Sequence, residues 1–165
     1  MIFVTVGTHE QSFDRLVKEI DRLKEKGRIS EEVVIQTGFT TYEPKFCNWS
    51  KLFSYKDMIK NVSEARIIIT HGGPSSFIMP LQVGKVPIVI PRKKIFGEHV
   101  NDHQVDFCKA VASRQKNIIV VEDIIELESI ILNYESIIVN MVTGLKSNNV
   151  KFNKQLENIV NEMFN

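Results

Sequence analysis

The chain has 165 residues, 43% of them hydrophobic, and its 21 basic and 20 acidic residues leave a formal net charge of +1. That length supports one good core rather than two full domains, and the even charge balance excludes the broad cationic footprint of a nucleic-acid binder. Cys47 and Cys108 are far apart with no CxxC pairing, so reduced structural thiols in a cytoplasmic setting are expected, and no apolar run forms a signal h-region or approaches the ~20 residues of a membrane span.

In chain order, Ile2 to Val6 reads as a buried strand stopped by Gly7-Thr8-His9. Phe13, Leu16, Val17, Ile20 and Leu23 then recur at helical spacing up to Gly27, with Arg15, Lys18, Asp21, Arg22 and Lys24 on the opposite, wet face. Glu32 to Thr37 is a second strand, which gives a βαβ unit with a right-handed crossover. Residues 38–50 read as a loop that Trp49 ties to the core, a sugar or partner contact being its other reading. A short strand is expected over Lys51 to Tyr55, and a helix over Lys56 to Glu64 with Met58, Ile59 and Val62 inward.

Ile67, Ile68 and Ile69 form a buried strand that delivers its carboxyl end into Thr70-His71-Gly72-Gly73. Pro74 suits a first helical position and Ser75 or Ser76 a cap, with Phe77, Ile78 and Leu81 inward, a kink at Pro80 and a stop at Gly84. Pro87 to Pro91 is a further strand, followed by the polar loop RKKIFGEHVN. There Arg92, Lys93 and Lys94 make the one compact basic run, either a solvated loop or, with Ile95 and Phe96, a contact for anionic headgroups, a lipid diphosphate or a partner. Asn101 or Asp102 caps the next helix, which turns Val105, Cys108, Val111 and Ala112 inward and leaves Lys109 and Arg114 wet. Asn117 to Val121 is the last strand, and Glu122 and Asp123 open another helix. From residue 150 to 164 an amphipathic helix places Phe152, Leu156, Ile159, Val160 and Met163 on one face, to cover the sheet or a partner.

The pattern is a single α/β domain over residues 1–165, a doubly wound, mainly parallel, Rossmann-like sheet of about six strands. Such sheets bind ligands outside the carboxyl ends of their strands. Gly7, Thr8 and His9, then His71, Gly72, Gly73, Ser75 and Ser76, and finally Glu98 to Gln104 converge there. The first two segments offer loop amides and hydroxyls suited to a diphosphate; Asn101, His103 and Gln104 offer directional groups suited to sugar hydroxyls. His71 either braces its own loop or touches the diphosphate. His99 and His103 have a ligand spacing but no third partner, so no metal site is expected. His9, with Glu10 second, is the candidate base for deprotonating an acceptor.

VTVGT at 4–8, QTG at 36–38, THGGPSS at 70–76, GKVPIVIP at 84–91 and NDHQ at 101–104 resemble the nucleotide-sugar half of the glycosyltransferase family 28 enzymes. The resemblance covers roughly residues 2 to 122. It is strongest to single-domain catalytic subunits of two-part transferases, namely the eukaryotic lipid-linked-oligosaccharide UDP-GlcNAc transferase and bacterial capsule or exopolysaccharide enzymes. The resemblance implies one half of a GT-B fold that binds a UDP-sugar without a metal, while a membrane-anchored subunit presents a polyprenyl-diphosphate-linked saccharide. The implied reaction is inverting transfer at the cytoplasmic membrane face, galactose being the favoured sugar and GlcNAc the next. Family members carry a glutamate for the ribose where this chain has Met79, which moves that role to Gln82 or to backbone. A non-catalytic sugar-nucleotide-binding module is the alternative, and an NAD or flavin domain a weaker one, since GxGxxG is absent.

Overall fold

Six strands pair in parallel in the order β3-β2-β1-β4-β5-β6. They are β1 (Ile2–Thr5), β2 (Val33–Gln36), β3 (Asn48–Ser50), β4 (Ile67–His71), β5 (Ile88–Ile90) and β6 (Ile119–Val120), in a computed structural model that describes residues 1–143 and 149–164. The helices are α1 (Asp14–Glu25), α2 (Tyr55–Glu64), α3 (Pro74–Gln82), α4 (His103–Gln115), α5 (Leu127–Leu132), α6 (Tyr134–Ile138) and α7 (Asn149–Phe164).

Strand residues alternate between two faces, and each face has its own core. Ile2, Val4, Ile67, Ile69, Ile88 and Ile90 pack under α1, α5 and α6. Phe3 and Ile68 meet Val62 of α2, while Val89 meets Phe77 and Leu81 of α3 and Cys108 of α4. Helices therefore cover both faces of an all-parallel sheet, as the sequence pattern predicts. The chain winds from β1 to β2 and β3 on one side and from β4 to β6 on the other, so the order reverses between β1 and β4. A crevice is expected at that reversal.

Several local expectations change. The edge strand is Asn48–Ser50 rather than Lys51 to Tyr55, because Trp49 registers against Ile35 and its Nε1 donates to the Pro44 carbonyl at 3.1 Å. Residues beyond it are taken by the start of α2, where the Ser54 hydroxyl accepts from Asp57 N–H at 3.2 Å. Trp49 thus anchors the preceding loop from within a strand. Asp21 is buried rather than wet: it accepts from the Tyr42 hydroxyl (2.7 Å), Lys45 N–H (2.9 Å) and Phe46 N–H (2.8 Å). Burial alone would raise its pKa, but these bonds together hold the carboxyl below its ordinary value.

Ile78 is exposed because α3 buries Phe77, Pro80 and Leu81, spaced one turn apart, and Ile78 falls beside that stripe. Neither Ser75 nor Ser76 caps α3, whose N-cap is Gly73 with Pro74 in the first turn. Asp102 stands at the N-cap of α4 but its carboxylate accepts from Lys94 N–H at 2.8 Å, while Asn101 Oδ1 accepts from His103 N–H at 3.2 Å. Glu122 and Asp123 lead first into a 3-10 turn over Ile124–Glu126, capped by Asp123, and only then into α5. In α7, Leu156, Ile159, Val160 and Met163 are exposed, and the Phe152 side chain lies outside the described residues.

Candidate functional site

The loops after β1 and β4 meet at the switch point around His71. A β-carbon on Gly7, whose φ is +74°, would lie 2.3 Å from His71 Nε2, and one on Gly73 would lie 2.3 Å from its Cε1. The imidazole occupies the space that these two glycines leave. His71 Nδ1 accepts from Gly73 N–H at 2.9 Å, which puts the hydrogen of the neutral ring on Nε2, 2.7 Å from Ser76 Oγ. The ring donates there, so the Ser76 hydroxyl hydrogen is free to point at a ligand. Burial, reinforced by the nearby Arg92 charge, holds the His71 pKa down at about 4, so the ring stays neutral at physiological pH.

Arg92 overturns the expectation of a solvated basic run. Its side chain is 1% exposed and lies over the Phe13 ring, 4.7 Å from the centroid. It donates to the carbonyls of Gln11 (2.7 Å), Glu98 (3.1 Å) and Val6 (2.9 Å), which ties the first loop to the loop after β5. Burial lowers its pKa to about 10, with Glu98 acting in opposition, so it remains a cation. Glu98, also buried, accepts a fork from Arg15 Nε and a terminal guanidinium nitrogen, both at 2.9 Å, and Lys93 N–H at 3.0 Å. Lys94, Ile95 and Phe96 are left exposed at the tip of this pinned loop.

Beside His71 opens a cleft of about 610 Å³. Gly7, Thr8, His9, His71, Ser75 and Ser76 line one part of it, and Leu52, Phe53, Tyr55, Met58, Val62 and Met79 form a largely apolar wall. Gly72 and Gly73 supply the loop behind it. Gly72 is packed from outside by Gln104, whose Oε1 would lie 2.9 Å from an added β-carbon and accepts from Arg92 N–H at 3.2 Å. Asn101, His103, Gln104 and Glu10 are not among the lining residues, and Gln82 is exposed elsewhere on α3. The His99 ring, however, lies 5.2 Å from that of His9. Among the described residues no group of three His, Cys, Asp or Glu is placed to hold a metal ion.

His9 carries a constraint that its sequence position does not show. Its Nδ1 accepts from Gln11 N–H at 3.2 Å, so the neutral ring carries its hydrogen on Nε2. The free nitrogen is then a donor, whereas a general base needs a bare one. Burial, Arg92 and His99 all lower the His9 pKa, and Glu10 opposes them. Sequence reasoning quoted Gln36 within QTG at 36–38 but gave it no role; it lines the cleft, donates to Thr5 Oγ1 at 3.2 Å and accepts from Phe53 N–H at 3.2 Å. Its place in that motif, as a polar residue closing a β-branched run, was the signal.

The sequence matches the family model described as the glycosyltransferase family 28 C-terminal domain over residues 1–160. It is 30% identical over 117 residues to the human UDP-N-acetylglucosamine transferase subunit ALG13, a match covering 66% of this chain and 10% of that protein. The mouse protein of the same name is 31% identical over 118 residues, covering 65% and 9% respectively. The chain therefore spans about a tenth of the length of these curated relatives. Among solved structures, the glycosyltransferase SnogD from Streptomyces nogalater aligns with a TM-score of 0.46 at 17% identity, covering 86% of this chain and 39% of that one.

Proposed function

The chain belongs to the glycosyltransferase family 28 C-terminal domain family, and from that premise we propose that it is the donor-binding, catalytic subunit of an inverting UDP-sugar-dependent transferase. The observation that carries the reading is the convergence of Gly7, Thr8, His71, Ser75 and Ser76 on one cleft at the switch point of the sheet. The diphosphate would lie against the Ser75 and Ser76 hydroxyls at the amino end of α3, with Ser76 turned outward by His71. The apolar wall from Leu52 to Met58, with Met79, is suited to the nucleoside. The sugar would extend toward Asn101, His103 and Gln104.

In the proposed reaction an acceptor hydroxyl oxygen forms the new bond to the anomeric carbon from the face opposite the diphosphate. The anomeric carbon–phosphate oxygen bond breaks, UDP departs with the electron pair, and the hydroxyl proton passes to a base. The bond from Gln11 N–H to His9 Nδ1 supports the exposed Glu10 carboxylate over His9 for that last role. Hydroxyls and loop amides would balance the leaving charge, and the proposal includes no bound metal. The relatives named as transferase subunits support a second subunit. We assign it the membrane anchor and a polyprenyl-diphosphate-linked saccharide of capsule or exopolysaccharide synthesis, with galactose as the sugar. Among the described residues no helix is long and apolar enough to cross a membrane.

Calorimetry with a panel of UDP-sugars, with and without magnesium and with ATP and NAD as controls, tests the reading. Selective UDP-sugar binding, weakened about tenfold by Gln104→Ala, is expected. Binding of ATP or NAD in preference to every UDP compound would overturn it.

A further inference from the structure

Three histidines at the carboxyl edge of the sheet are braced in the same way. His9 Nδ1 accepts from Gln11 N–H (3.2 Å), His71 Nδ1 from Gly73 N–H (2.9 Å) and His99 Nδ1 from Asn101 N–H (3.4 Å), each two residues along the chain. In all three the neutral ring carries its hydrogen on Nε2. That of His71 is consumed by Ser76. His9 and His99 stand on different loops with ring centroids 5.2 Å apart and planes inclined at 38°, and among the described residues neither Nε2 has a protein partner.

We propose that His9 and His99 form a two-imidazole clamp for a phosphoryl oxygen at the mouth of the cleft, binding it through both Nε2–H groups; a proton taken up as it arrives goes to Nδ1 and releases the backbone N–H held there. The loops that carry them are held in fixed relation by Arg92, which bonds the carbonyls of Val6 and Gln11 on one side and of Glu98 on the other. The clamp is therefore built before the ligand binds. Arg92 spends its terminal nitrogens on these carbonyls, so its charge acts on His9 without touching the anion.

The surrounding charges account for the proton. Arg92 and the His99 ring oppose protonation of His9 while Glu10 favours it, His71 is neutral, and the Glu98 carboxylate is committed to Arg15 and Lys93 N–H. Two imidazolium rings 5.2 Å apart would repel one another. An anion bridging them reverses that balance. The proposal depends on the donor reading only for the source of the phosphoryl group, which is either the nucleotide or a lipid diphosphate.

The histidine Cε1–H signals of the labelled full chain, titrated by NMR from about pH 5 to 8, test this with inorganic pyrophosphate, with UDP, and with geranyl diphosphate added to the UDP-saturated protein. A rise of about half a pH unit or more in the apparent pKa of both His9 and His99 is expected with at least one of these anions, while His71 does not move. His9→Gln should abolish the rise at His99, and His99→Gln the rise at His9. A shift with UDP assigns the nucleotide diphosphate; one that needs geranyl diphosphate assigns the lipid. The clamp is overturned if no anion moves either ring, or if one ring responds regardless of the other's removal. Amide shifts at Gly72 and Gly73 on adding UDP, with both histidines unmoved by every anion, would sink the clamp and keep the donor site. A response to pyrophosphate with no amide shift from UDP would do the reverse.

Discussion

Gly73 and His71 are fitted to one another: the glycine donates its N–H to the ring at 2.9 Å and leaves bare the point 2.3 Å from Cε1 where a β-carbon would stand. On its other side the ring fills the place of the β-carbon that Gly7 lacks, which would stand 2.3 Å from Nε2, so both glycines are fitted to it. Gly73→Ala should therefore destabilise the fold by about 2 kcal/mol and weaken UDP binding about tenfold, through displacement of the imidazole and of Ser76 with it. Gly84→Ala is the control. It meets only its own positive φ of +77° with nothing within 4 Å, and should cost about 1 kcal/mol with UDP binding unchanged. Urea melts and calorimetry on both variants check this. A Gly73→Ala protein that melts and binds like wild type would show that the fit is not tight.

The neutral state of His71 makes stability depend on pH. Its folded pKa of about 4 is depressed from the ordinary 6.5. Between these values the unfolded chain binds more protons than the folded one, so the contribution is fully present above pH 6.5 and drains away as pH falls toward 4. The loss approaches about 3 kcal/mol over that interval. His71→Asn, which lacks the titrating ring, should show a flatter decline when urea melts of the two proteins are compared along the same pH series. Parallel declines would mean that His71 titrates normally.

The α/β class, the six strands and the two glycine loops were legible because β-branched runs ending at Gly7 and at Gly72-Gly73 carry their own signal. What stayed hidden depends on contacts between residues remote in sequence. Asp21 reads as wet on a helical wheel, and only the amides of Lys45 and Phe46 explain its burial. Arg92 reads as the first residue of a solvated basic run, and only the carbonyls of Val6 and Gln11, more than 80 positions away, explain why it is inside. The His9 tautomer is set by a local bond, but one that exists only once the loop has its shape.

Glu98 is the counter-charge on which the loop after β5 depends. It is 3% exposed, holds the Arg15 fork at 2.9 Å and Lys93 N–H at 3.0 Å, and balances the buried Arg92. Removing one member of a buried pair strands the other, so Glu98→Ala should cost about 3 kcal/mol, and Arg15→Met in that background should recover part of the loss. Full additivity of the two substitutions in chemical denaturation would show that the pair is not coupled.

The exposed tip of that loop gives a separable prediction. Ile95 is 83% and Phe96 56% exposed beside Lys93 and Lys94. Charge reversal at both lysines should weaken sedimentation with anionic vesicles by about thirtyfold or more, since each surface lysine contributes about 1 kcal/mol near such a membrane, and leave UDP binding alone. Equal loss of both would mean that the substitutions disturb the cleft rather than a membrane contact.

Ser75 and Ser76 separate ligand binding from folding within a single turn of helix. Ser76 Oγ is 2.7 Å from His71 Nε2 and takes the hydrogen that the ring carries there. Ser76→Ala therefore strands a buried donor and should cost about 1–2 kcal/mol of stability along with about tenfold in UDP affinity. Ser75 is exposed at the cleft and accepts no such bond. Ser75→Ala should reduce affinity by a similar factor while the melting curve stays put. If Ser75→Ala instead destabilises the fold and Ser76→Ala does not, the hydroxyls have exchanged roles and the His71 tautomer derived from Gly73 N–H is wrong.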